Sequence, residues 1–140
     1  MKRVLRLFLA LAVSACVLVV ATGCSTHTLR AITDYSGEAK GVEAPASSAG
    51  GASWATWLQG GNQIGIVLYG SSTCPPLVQN LQVVSATALK ATLAPVAGSV
   101  CSSDLAPHTT VFTTPTGLKG SVTITIRLPD ATLVLPSLTD

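Results

Sequence analysis

The segment from Ser121 to Leu128 limits the fold more than any other part of the chain. Val122, Ile124, Ile126 and Leu128 alternate without a break with Ser121, Thr123, Thr125 and Arg127. In an extended chain successive side chains point to opposite sides. The segment therefore has one apolar face and one wet face, the pattern of a strand in an antiparallel sheet with a single buried side. The same period recurs upstream. Leu89, Ala91 and Leu93 alternate with Lys90, Thr92 and Ala94, and Ile64, Ile66 and Leu68 share one face of 63–70. Further strands are expected at 53–59, at the Val/Leu-rich 80–86, at 109–114 and at 132–135. Gly60-Gly61-Asn62 marks a turn that tolerates positive φ, Pro95 and Gly98 close one strand, and Pro129-Asp130 marks another turn. No helical period of useful length and no internal repeat follows residue 24. Seven short strands separated by turns predict an all-β domain over 53–140, a small antiparallel β-sandwich or barrel.

The N-terminal part is of another kind. Lys2, Arg3 and Arg6 precede fifteen uncharged residues, Leu7–Ala21. That run is shorter than the ~20 residues a membrane-spanning helix needs. A basic start, a short apolar run and small residues make an export signal over 1–23. Ala21-Thr22-Gly23-Cys24 resembles the bacterial lipobox, with Ala21 where Leu is commonest. The resemblance implies cleavage before Cys24 and a diacylglycerol on its thiol, a strong nucleophile once ionised. The protein is then expected on the extracytoplasmic face of a cell membrane, held by lipid. Residues 24–52 are polar and rich in Gly, Ser and Ala. They are expected to form a flexible tether, dispensable for folding, that holds the domain on the order of 30 Å from the bilayer.

Export changes the charge. The whole chain carries +2, but loss of Lys2, Arg3 and Arg6 leaves Arg30, Lys40, Lys90, Lys119 and Arg127 against six acids. No cluster of bases remains, which argues against nucleic acid as a partner. The few charges and the Val, Leu and Ile content exclude a disordered chain. Two Glu, Glu38 and Glu43, are too few for a coiled coil.

Four cysteines occur: Cys16, Cys24, Cys74 and Cys101. Cys16 leaves with the signal and Cys24 takes the lipid. Cys74 and Cys101 then have one pairing open to them, in an oxidising compartment. No CxxC is present and the two His are far apart, so neither a metal nor a cofactor is expected.

Three groups invite a chemical reading. Gly70-Ser71-Ser72-Thr73-Cys74-Pro75-Pro76 carries three hydroxyls but lacks a nucleophile elbow. It is expected to be a rigid turn presenting Cys74. Cys101-Ser102-Ser103-Asp104-Leu105-Ala106-Pro107-His108 adds an acid and a base. Ser71 or Ser72 with Asp104 and His108 would make a triad if the geometry brought them together. The plainer reading has Asp104 accepting backbone N–H bonds in a turn and His108 opening a strand on its exposed face. Trp54, Trp57 and Tyr69 are the third group. The two Trp are three residues apart, so a strand sends them to opposite faces, one onto the core.

GSSTCPP at 70–76, CSSDLAP at 101–107 and the alternating Thr/Val strand resemble elements of a group of small uncharacterised actinobacterial lipoproteins. The resemblance covers Trp54 to about Leu128, with Thr73 and Ser103 as departures. It implies exposure, a disulfide and a β fold, and no activity. The expected protein is a monomeric binding or envelope-structural module, not an enzyme, whose partners are the membrane and an unidentified protein or small ligand. The rival readings are a small envelope hydrolase using the Ser-rich loops, and an inhibitor or accessory subunit presenting one rigid loop.

Overall fold

A computed structural model describes residues 27–96, 100–127 and 130–137, with only the backbone of Arg127, Asp130 and Ala131. The export signal and Cys24 lie outside the described residues. The fold is all-β: the described residues form nine strands in two facing sheets. These are β1 (Thr28–Arg30), β2 (Thr33–Ser36), β3 (Trp54–Leu58), β4 (Gln63–Gly70), β5 (Val78–Ser85), β6 (Ala88–Leu93), β7 (Ala106–Thr113), β8 (Val122–Arg127) and β9 (Asp130–Leu135). One sheet runs β1-β5-β6-β8-β9 and the other β2-β7-β4-β3. Every pairing is antiparallel except β6 with β8, which places Ala88 opposite Thr123 and Ala91 opposite Ile126.

The expected strands are all present. Alternation places Val122, Ile124 and Ile126 of β8, Leu89 and Ala91 of β6, and Ile64, Ile66 and Leu68 of β4 in one core between the sheets, with Phe112 fully buried among them. The β3–β4 turn uses positive φ at Gln59 (49°), Gly60 (63°) and Gly61 (90°). Two consecutive glycines remove most of the steric cost of that left-handed stretch. β5 departs from strict alternation because its register shifts between Val78 and Asn80 and again between Val83 and Ser85. The first shift lets Val78 and Leu81, three apart, both reach the core. Beyond it Leu81 and Val83 face the core, so alternation turns Val84 outward to solvent.

The expected tether over 24–52 is corrected from Thr28 onward. β1 pairs with β5. The chain then crosses at Ala31–Ile32 to the other sheet, where β2 pairs with β7. The folded domain therefore begins near residue 28 and not 53. Residues 37–52 form a strap over the outer face of the β2-β7-β4-β3 sheet. Ala39 is buried there in a second core with Trp54, Leu58, Val67 and Val111, and Val42 and Ala44 pack against it. Polar bonds fasten the strap. Trp54 Nε1 donates to Glu38 Oε2 at 3.1 Å, the Tyr69 hydroxyl donates to Glu38 Oε1, and Thr109 Oγ1 donates to the Gly37 carbonyl at 2.7 Å. The Lys40 ammonium lies 4.5 Å from the Tyr35 ring centroid, close enough for a cation–π contact. β4 and β7 are thus covered on both faces, which explains why Val111 and Phe112, neighbours in sequence, are both buried.

The strand directions define two ends of the sandwich. At one end lie the start of β1 and the turns β3–β4 and β5–β6. At the other, β4 ends, β5 starts, β6 ends and β7 starts. Both cysteines lie at this second end.

Candidate functional site

Cys74 and Cys101 form a disulfide with Cα atoms 5.4 Å apart, across a sequence separation of 27. It joins the loop after β4 to the loop before β7. Gly70 is required at the first of these: a Cβ there would lie 2.7 Å from Cδ of Pro76. The Pro-Pro pair therefore folds back onto the end of β4.

The disulfide brings the two hydroxyl-rich segments together around Ser102. Its Oγ lies 2.8 Å from Ser71 Oγ and 3.2 Å from both Ser72 Oγ and Thr73 Oγ1. Its N–H donates to Thr73 Oγ1 at 2.8 Å. Its hydroxyl proton goes to Asp104 Oδ1, which also accepts the Ser72 N–H at 3.0 Å. Asp104 is thus the turn acceptor expected of it. The bonds from Ser102 and Ser72 lower its pKa to about 2. A carboxylate held that low is a poor general base at neutral pH.

Because the folded value lies below the ~3.9 of an unfolded Asp, this network adds stability above about pH 4 and loses it as the pH falls toward about 2. In Ser102→Ala, carbon-detected NMR should show Asp104 titrating upward from about 2 toward the ordinary range, because the first cause of the depression is gone. An unchanged midpoint would mean that Ser102 does not hold the carboxylate.

His108 is not where the sequence reading put it. It lies inside β7 with its side chain only 9% exposed, facing the other sheet. Nε2 is 3.1 Å from Oδ1 of Asp34 on β2. That position follows from register: His108 pairs with Ser36 on one side and Leu68 on the other. Among the described residues no hydrogen bond joins His108 to a hydroxyl. The Ser–Asp cluster and the Asp34–His108 pair are two separate constellations, each lacking a member of a triad. Asp34 is 74 residues from His108 in sequence, and nothing local to either residue announces the pair.

The two Trp do face opposite ways. Trp54 lies on the outer face under the strap, buried, while Trp57 lies on the inner face, half-buried, with Nε1 donating to the Pro136 carbonyl at 2.6 Å. Tyr69 donates to Glu38, and this bond raises its pKa, with burial adding to the effect. All three polar tips are thus engaged in hydrogen bonds within the fold. Among the described residues no group of three His, Cys, Asp or Glu is placed to hold a metal, and no helix is long and apolar enough to cross a membrane.

The disulfide end also shows apolar residues that the sequence reading did not single out. Val96 is 63% exposed, Val100 84% and Leu105 60%. Val100 lies beside the disulfide, its carbonyl 3.7 Å from Cys74 Sγ. Leu105 packs over Gly51 of the strap and beside Tyr69. The only sequence signal was apolar residues standing inside Pro- and Ser-rich loops. No family model, curated protein or solved structure matches the chain.

Proposed function

We propose that this chain is a lipid-anchored extracytoplasmic protein whose β-sandwich serves as a binding or envelope-structural module, with the disulfide end as its contact surface. The observation that carries this reading is the combination found at that end. Exposed apolar side chains, Val96, Val100 and Leu105, stand on loops braced by the Cys74–Cys101 bond and by the Ser102–Asp104 hydrogen bonds. Bracing reduces the entropy lost when loops are ordered in a complex, and exposed apolar groups supply contact area. The disulfide also suits an oxidising compartment, in keeping with the lipobox-like element ending at Cys24. The hydrolase alternative draws no support from geometry in which His108 and the serines are apart.

Two measurements test the reading. In Cys24→Ser, the mass of the attached lipid should disappear and the protein should leave the membrane fraction or keep its signal. Unaltered fractionation and migration would refute the anchor. A photo-crosslinking residue at position 100 or 105 in intact cells should give one discrete adduct. The same residue at Val134, an exposed valine of β9, should give none. Equal labelling at all three positions would refute the contact surface.

A further inference from the structure

We infer that the end of the sandwich opposite the disulfide rests on the bilayer surface, so that the disulfide loops point away from the membrane. The inference rests on the lipid-anchor reading above and adds an orientation to it.

The first ground is the leash. β1 begins at Thr28, so four chain steps separate it from Cys24, a reach of at most about 14 Å when fully extended. The start of β1 is fixed in the fold: Thr28 pairs with Gln82, and the His27 carbonyl accepts the Val83 N–H at 2.9 Å. A domain held there has no long tether on which to turn freely. The end bearing His27 is kept near the lipid headgroups, together with the turn at 85–87, the loop at 114–121 and the turn at 59–62. The Lys119 N–H, bonded to the Ala86 carbonyl at 2.8 Å, ties the first two together.

The second ground is charge. Those segments contain no Asp or Glu, and Lys119 is their one Lys or Arg. Asp104 belongs to the opposite end, where Arg127 at the close of β8 stands opposite Asp130 at the start of β9 and offsets its charge. An anionic leaflet therefore attracts the first end, which carries a base and no acid, more than the second, where Asp104 stands beside a balanced pair.

The third ground is a cleft of about 150 Å³ at the leashed end, lined by Trp57, Thr114, Pro115, Gly117, Leu118 and Gly120. Trp is a residue favoured at the boundary between headgroups and acyl chains. Exposed Val84 stands on β5 just before the 85–87 turn of the same end.

The full-length lipidated protein can be placed in vesicles of phosphatidylcholine with phosphatidylglycerol, carrying a photo-crosslinking residue at Thr87, Thr116, Val100 or Leu105. Positions 87 and 116 should yield phospholipid adducts by mass spectrometry, and positions 100 and 105 should not. In Lys119→Gln the docked fraction should fall, with adduct yield at position 116 reduced up to about fivefold, since one base near an anionic surface contributes roughly that factor. Vesicles without phosphatidylglycerol should give a similar reduction. Lipid adducts at 100 and 105 equal to those at 87 and 116, on protein whose mass shows lipid at Cys24, would overturn the orientation and leave the anchor standing. Absence of lipid mass at Cys24 would overturn both.

Discussion

A chain beginning at Ser53 should lose its cooperative thermal transition, whereas a chain beginning at Ser25 should keep it. The shorter chain lacks β1 and β2, the edge partners of β5 and β7. It also lacks the strap, which leaves Trp54, Leu58, Val67 and Val111 on an uncovered face. Burial of each large apolar side chain contributes about 1.5–3 kcal/mol. Losing cover for four of them removes an amount comparable with the whole stability of a small domain, about 5–15 kcal/mol. Polar losses add to this, because the Trp54 indole N–H and the Thr109 hydroxyl would lose Glu38 and the Gly37 carbonyl. Calorimetry on the two chains checks it. Equal midpoints would mean that the strap and the first two strands contribute nothing to folding.

Replacing both Cys74 and Cys101 by Ser should lower stability by about 2–5 kcal/mol and leave the fold recoverable at low temperature. The bond closes a loop with a sequence separation of 27, for which chain entropy gives about 3–4 kcal/mol. The two sheets and both cores lie outside the loops it joins, so the strands persist without it. The loops themselves should loosen, and the Asp104 pKa should move up from about 2 as Ser102 and Ser72 drift from the carboxylate. Denaturant unfolding with a lower midpoint and a somewhat steeper slope is the expected signature, because the unfolded chain without the cross-link exposes more surface. Two free thiols in the unreduced native protein, seen by alkylation, would refute the bond itself.

Strands with a single buried face were legible in the sequence, because alternation writes that burial directly into residue type. β8, β6 and the inner face of β4 are such cases. β5 was legible only as a Val/Leu-rich stretch. Its first bulge puts Val78 and Leu81, three apart, both in the core, and a bulge breaks the period of two. β1 and β2 were missed because they are three and four residues long and carry Thr, Asp and Ser. Their strand identity comes from the partners they pair with. The strap was read as a flexible tether because its Gly, Ser and Ala content is that of a linker, and the apolar face it covers belongs to strands far along the chain.

Local patterns in the sequence determined the all-β class, the seven strands after residue 53, the opposite facing of Trp54 and Trp57, and the pairing of Cys74 with Cys101. Each depends on residue spacing or on elimination, both readable along the chain. Only the tertiary structure decided the rest. It joined Asp34 to His108 and Glu38 to Trp54 and Tyr69, and it kept His108 apart from the serines. These outcomes depend on sheet order and register, which bring residues distant in sequence onto neighbouring strands, and no local period encodes which strand lies next to which.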